Sequence, residues 1–324
     1  AEAQAGVYYD TPQISFMINR LTSDFIAGDT FTVAVTGVSP TIADNTNWEL
    51  MAEEITTTFD SNFIQMQGTG ISEDKTINVI LNSYGNSSSG IFSLGAKGAT
   101  GYDDQVGFGF QPGEWTITKW MKVRDGIMDY FITINRQRFV VLVDVASSGH
   151  SLYAGFHLPY GPPSTYRFPM FIGSDCNSST TYTFSEPSDR VRAFIDPSVD
   201  AAAVAMPGGN VENVSHFNTD SIPDRIFTSN CVLPYGGQFS NGLSNTSRWN
   251  KLREDEYGKY PMFPCVLQEY SPGQSLGELD GVCAIAGFNL TLRDVVQDTE
   301  GNDWMVWSIN SRTGTGEYFA VRIQ

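Results

Sequence analysis

The chain has 324 residues; 19 are Lys or Arg and 36 are Asp or Glu, a formal net charge of −17. That shortage of cations argues against a general nucleic-acid binder, which grips phosphates through basic residues, and against docking on anionic membranes. An apolar fraction of 41% suffices for a core, and 17% charged residues beside 13% aromatics and 31 Gly is the profile of a β-rich, turn-rich chain.

In chain order, period-two alternation predicts strands at Gln13–Ile18 and Thr30–Thr36, with Ile26–Asp29 as a turn between them. Phe63–Gln67, Thr76–Leu81 and Ile91–Leu94 continue the pattern, and Ser83–Gly90 (SYGNSSSG) reads as an exposed loop. Aromatic strand-like residues recur around Val106–Phe110. After Gln111–Trp115 the texture changes, which predicts a join near residue 120: an N-terminal β-sandwich-like domain over 1–120 and a second β-rich domain over 121–324. Asp129–Ile134 and Arg138–Val145 form a predicted hairpin about a turn at Asn135-Arg136. Ser151–Met170, dense in Pro, Gly and aromatics, reads as a rigid irregular connection. Two short helices are expected, around Ser188–Phe194 and Ser247–Tyr257. Val282–Ala286, Trp304–Ile309 and Tyr318–Ile323 read as a closing antiparallel meander, with Asp298–Asp303 and Ser311–Gly316 as turns. The fold class expected is mainly β: antiparallel sandwich or barrel-like domains with long loops and little helix.

The opening AEAQAGVYYD has neither a basic nor an apolar leader region, and no apolar run approaches membrane-spanning length, so no targeting or membrane segment is expected. Cys176, Cys231, Cys265 and Cys283 form no CxxC pair and are expected as buried, reduced thiols. Sequons at Asn86, Asn177, Asn213, Asn245 and Asn289 are those that chance supplies in an Asn-, Ser- and Thr-rich chain.

Chemistry-bearing patterns are weak. His150, His157 and His216 make no metal-ligand set, and no GxSxG, Walker or dinucleotide-binding loop occurs. The acid pairs Glu53-Glu54 and Asp103-Asp104 have the residue types of a glycosidase pair, but a chain with 36 acids places such pairs on solvated loops by default. Asp298–Asp303 offers oxygen ligands for calcium without the EF-hand spacing, so a hairpin turn is the better reading. The most informative feature is aromatic. Tyr153, Phe156, Tyr160, Tyr166 and Phe168 crowd one Pro-rich stretch, as candidate interface residues, an aromatic mini-core, or a sugar-stacking platform. No catalytic residue, cofactor or metal is expected.

The block Asp129–Asp175 resembles a segment of structural proteins of tailed bacteriophages, through Asn135, Arg136 and Arg138; Tyr153, Gly155 and Phe156; Pro159, Tyr160 and Pro163; and Phe168, Pro169, Gly173 and Ser174. Ser275–Phe288 is similar to a Gly-Glu-Leu-Asp-Gly stretch near the end of such proteins, and Trp304–Ile323 fits with Arg312 in an Arg-Thr position. Phe25–Val35 looks like the strand-turn-strand that opens many phage β-domains. His150-Ser151 and Cys176–Phe184 depart from the pattern. The resemblance implies a non-enzymatic virion component of the tail or baseplate, with neck, collar or capsid surface as other positions. It implies assembly in the bacterial cytoplasm, with copies of itself in a symmetric multimer and other virion proteins as partners. Removal of Ser151–Met170 is then expected to leave a folded chain that fails to incorporate. The acidity suits either a DNA channel or a soluble outer face. A carbohydrate-binding or polysaccharide-degrading β-protein is the rival reading.

Overall fold

In the computed structural model every regular element described is a β-strand. The residues described are 8–10, 15–17, 48–54, 62–70, 77–86, 91–99, 101, 103, 105–106, 112, 116–123, 128–145, 148–161, 166 and 168–176. They continue with 193–195, 202–205, 211–215, 226–229, 257–269, 275–286, 290–308 and 317–323. The chain divides into two compact units, Ala1–Thr46 and Asn47–Gln324. In the first, β1 (Tyr8–Asp10) and β2 (Ser15–Met17) pair antiparallel with Tyr9 opposite Phe16. β2 falls within the expected Gln13–Ile18, whereas Thr30–Thr36, nearly all of both expected helices and the Ser311–Gly316 turn lie outside the described residues.

The second unit holds two sheets. β3 (Trp48–Glu54), β4 (Phe63–Gly68), β5 (Ile77–Asn86), β6 (Ile91–Ala99) and β7 (Lys119–Val123) form a five-stranded antiparallel sheet in chain order. The strands of the other sheet are β8 (Asp129–Ile134), β9 (Arg138–Val145), β10 (Ser148–Phe156), β11 (Leu158–Pro159), β12 (Met170–Gly173), β13 (Ala202–Ala205) and β14 (Val211–Ser215). They continue with β15 (Ile226–Ser229), β16 (Met262–Glu269), β17 (Ser275–Ala286), β18 (Val295–Gln297), β19 (Asp303–Ser308) and β20 (Glu317–Arg322). This thirteen-stranded sheet runs in the order β18-β19-β20-β17-β16-β15-β14-β13-β12-β10-β9-β8, with β11 attached to β17. All its pairs are antiparallel except β14 with β15. The sheets change over between Val123 and Asp129, beside the expected join, yet both belong to the one unit.

The hairpin about Asn135-Arg136 forms with Ile134 opposite Phe139. Three other expectations need correction. Strand β5 runs on through Asn86, so Ser83–Asn86 is paired with Ile91–Leu94 rather than looped out. Ser151–Phe156 is regular strand, because its prolines begin only at Pro159 and leave the earlier ladder donors in place. Finally, β20 pairs with β17 as well as with β19, so the closing strands return to the strand that precedes them instead of running on as a simple meander.

Strand β9 explains the layering. Its sequence RFVVLVDV is apolar at nearly every position, the pattern of a strand buried on both faces. Val140 and Leu142 enter a core shared with Tyr153, Phe171, Val204, Leu267, Leu279, Val282, Trp307 and Phe319. The thirteen-stranded sheet therefore folds back on itself, with β9, β10, β12 and β13 facing β16, β17, β19 and β20. On the opposite face Phe139 meets Trp48 of the five-stranded sheet edge-on at 5.2 Å. Gly98 of β6 lies against Met170 and Ile172 of β12, where any side chain would collide. A further cluster, including Tyr260, Ile285, Val296, Trp304, Val306 and Tyr318, covers the outer face of β17, β20, β19 and β18.

The turn at Asp298–Asp303 is built around one carboxylate. Asp298 Oδ1 accepts from the amides of Glu300 and Asn302, both at 2.9 Å. Its Oδ2 accepts from Asn302 Nδ2 at 2.8 Å and Trp304 Nε1 at 2.9 Å. Four donors of the chain thus occupy the oxygens a calcium ion would need. Burial pushes this carboxyl up, but the hydrogen bonds from Asn302, Trp304 and the two amides outweigh it and hold the group down at about 2. A depressed carboxyl stabilises the fold fully above its unfolded value of 3.8 and loses that contribution as pH falls through about 2. The Trp304 indole N–H resonance of the folded chain should therefore shift as pH falls through about 2, and Asp298→Asn should abolish that titration.

Candidate assembly surface

The β8–β9 turn aims a cation inward. Asn135 Oδ1 accepts from the amides of Gln137 and Arg138, both at 2.9 Å, a side-chain-to-backbone bond that closes the turn. Arg138 is left 4% exposed, and a guanidinium so placed requires a counter-charge. Asp280 of β17 supplies it, with Oδ2 at 3.3 Å from Arg138 Nε, at ion-pair distance though out of line for a hydrogen bond. Asn135 Nδ2 donates to the same oxygen at 2.5 Å, and Arg138 Nη1 donates to Thr133 Oγ1. The Asp280 amide donates to Tyr153 Oη at 3.3 Å, and that hydroxyl donates to the Phe156 carbonyl at 2.7 Å. Burial drives the Tyr153 phenol well above its usual range, so it stays neutral. Trp48 Nε1 and the Gly70 amide donate to the carbonyls of Asn135 and Arg136 at 2.6 and 3.1 Å, which brings the five-stranded sheet to the same turn.

Glycine makes room for this node. Gly281 follows Asp280 at φ +61, and a Cβ there would run into Arg138 Nη2. One residue before Phe156, a Cβ on Gly155 would run into the Gln137 carbonyl and Arg138.

From the node the chain passes to β11, where Leu158 and Pro159 pair with Glu278 and Gly277. The Tyr160 amide then donates to Leu276 O at 3.0 Å and its hydroxyl to Glu278 Oε2 at 2.9 Å. Partial burial, aided by this carboxylate, pushes the Tyr160 phenol up to about 12. Its ring remains 54% exposed.

The five aromatics singled out in the sequence do not form one surface. Tyr160 is exposed and Phe168 half-buried, whereas Tyr153, Phe156 and Tyr166 are buried in the chain's own interior. Alternation along β10 puts Tyr153 on the core face beside Val140, with Phe171 at 5.4 Å and Phe194 at 5.7 Å. Tyr166 donates to the Ala205 carbonyl at 2.5 Å and meets His157 Nε2 at 2.9 Å. Burial lowers His157 to about 3, which keeps it neutral. Because Ser151–Met170 supplies strands and core, its removal would dismantle the fold rather than only an interface.

A second polar node joins the two sheets. Asp175 accepts from the amides of Lys122 at 2.9 Å and Ser151 at 3.1 Å and contacts His150 Nδ1 at 2.7 Å. Lys122 Nζ donates to Ser93 Oγ at 3.1 Å, and burial lowers this amine. Sequence reading missed this node, because a single Lys in a strand and a single Asp before Cys176 carry no pattern. The His150–Asp175 contact has the form that orients the histidine of a triad, but His150 is fully buried and its Nε2 meets no hydrogen-bond partner among the described residues.

Among the described residues Cys176, Cys265 and Cys283 form no disulfide, and Cys231 lies outside them. Burial pushes the Cys283 thiol up to about 12, away from reactivity. No group of three or more His, Cys, Asp or Glu among the described residues is placed to hold a metal. An open depression of about 420 Å³ is lined by Tyr257, Lys259, Tyr260, Asp294 and Val295 among others. Of its aromatics only Tyr257 is exposed, so it offers one ring for stacking rather than a platform. No protein-family model and no curated protein matches this chain.

The node makes two glycines unequal. Gly301→Ala, at φ +88 with open space around it, should cost about 1 kcal/mol of backbone strain. Gly281→Ala should cost about 3 kcal/mol or more, because it also displaces Arg138 from its counter-charge. Urea denaturation midpoints of the two variants measure the difference.

Proposed function

We propose that this chain is a structural protein of a tailed-phage virion that works by assembly, in the tail or baseplate. One observation carries the reading. Several of the sequence pieces that resemble phage structural proteins, far apart along the chain, meet at or next to one node: Asn135 and Arg138, Tyr153 to Phe156, Pro159, and Gly277–Gly281. Beside that node sits Tyr160, an exposed aromatic held in place by backbone pairing and by Glu278. A rigid aromatic contributes contact area at little entropic cost, which suits a contact between subunits. The layered β architecture with few charges suits a chain whose task is geometry.

Immunogold electron microscopy of purified particles, with antibody to this chain, tests the proposal. Gold confined to one structure supports it and gives the position, with neck, collar and capsid surface as the alternatives to tail and baseplate. Unlabelled intact and gently disrupted particles would overturn it, and binding on a glycan array would then favour the carbohydrate reading. Tyr160→Ala should fold normally and enter particles at reduced level, measured by quantitative mass spectrometry of purified virions. Normal incorporation would remove Tyr160 from the contact.

A further inference from the structure

The edges of the sheets are protected unequally. A sheet edge presents unpaired N–H and C=O groups that invite another strand, and stable proteins blunt such edges with charge, shortness or cover. β3 carries exposed Glu49 and Glu53. β7 is bridged by Cys176, whose amide and carbonyl bond the carbonyl and amide of Trp120 at 3.1 and 2.8 Å. β18 is only three residues long. β8 is less protected: it has six residues, DYFITI, its one charge stands at the first position and is paired with Arg293, and among the described residues it pairs with β9 alone. Tyr130 is 54% exposed and Ile134 36%, on the same face as Ile132.

We propose that β8 is a self-pairing edge, joining a second copy of this chain in an antiparallel strand pair centred on Ile132. Hydrogen-bond phase sets this register. The Asn135 amide donates to Arg138 O at 3.0 Å, so alternation along the hairpin ties Thr133 and Phe131 to β9 and turns the backbone groups of Tyr130, Ile132 and Ile134 outward. In an antiparallel pair about a two-fold axis at Ile132, these three outward residues meet the partner's Ile134, Ile132 and Tyr130. Every outward donor then finds an acceptor, and the exposed apolar side chains pair across the strands.

Charge is complementary in the same register. Asp129, 62% exposed, stands at one end of β8, and the exposed Arg136 lies just past the other. The two-fold sets Asp129 of each copy opposite Asn135 of its partner, one residue from Arg136, twice, with no like charges directly opposed. Within its own chain Asp129 accepts from Arg293 Nη1 at 2.8 Å, and Arg293 also lies over the Phe131 ring at 5.1 Å. These contacts brace the start of β8 on its core-facing side. The interface is isologous, so it closes as a dimer that larger symmetric assemblies can reuse. This deepens the assembly reading by naming a surface for it and rests on that reading for its purpose.

Size-exclusion chromatography with light scattering on the full chain tests the pairing. The expected result is a species of twice the chain mass of 35.6 kDa that dissociates on dilution. Ile132→Lys sets two lysines face to face on the axis and should give a monomer with unchanged circular dichroism. Asp129→Arg should weaken the dimer about tenfold or more, and adding Arg136→Asp should restore it, which no folding defect would mimic. A wild-type chain that stays monomeric, or a dimer indifferent to both Ile132→Lys and Asp129→Arg, overturns the proposal. A monomer that still labels one structure on the particle sinks the pairing and leaves the assembly reading; a dimer absent from particles does the reverse.

Discussion

The ion pair between Arg138 and Asp280 is the constraint on which the second unit depends. A guanidinium buried at the tip of a hairpin is tolerated only while its counter-charge and hydrogen bonds are in place, since an uncompensated buried charge costs several kcal/mol. Asp280 lies on β17, on the far layer of the folded sheet, so satisfying Arg138 brings the two layers together at one end. The same turn accepts donors from Trp48 and Gly70, and the same aspartate holds Tyr153 through its amide. Hairpin, far layer and five-stranded sheet are therefore positioned by one cluster of polar contacts. Apolar burial supplies much of the driving force, but it is non-directional, and the polar node fixes the register between elements.

A second consequence follows for the middle layer. β9 and β10 are sealed on both faces, so polar residues that alternation places there must find partners inside. Asp175, with the Lys122 and Ser151 amides and His150, does this between the sheets as Asp280 does between the layers. Buried nodes of this kind make local slippage costly, and the β8 edge can then present a fixed pattern of donors and acceptors.

Much of the fold was legible because periodicity reports burial. The β8–β9 hairpin, β4, β19 and β20 sit where alternation predicts them, and the apolar run of Phe139–Val143 is strand length, as β9 is. Local signals failed where burial depends on distant partners. Ser83–Asn86 has loop composition but is held as strand by β6, and nothing local says that β20 returns to β17. The aromatic stretch shows the same limit for the candidate site. A tyrosine packs equally well in a core or a contact surface, and only the pairing of β10 with β9 sends Tyr153 inward while Tyr160, beyond Pro159, stays outside. Arg138 and Asp280 were both visible as parts of a resemblance, yet their pairing depends on a fold that neither segment encodes alone.

A double-mutant cycle between Arg138 and Asp280, read by urea denaturation of Arg138→Met, Asp280→Leu and the double variant, tests the central claim most directly. If the pair anchors the layers, Asp280→Leu strands a buried guanidinium and loses about 3–5 kcal/mol, Arg138→Met strands a half-buried carboxylate and loses less, and the double variant loses far less than the sum, a coupling on the order of 2–3 kcal/mol. Additive losses within about 0.5 kcal/mol would contradict it, and would mean that apolar packing alone sets how the layers meet.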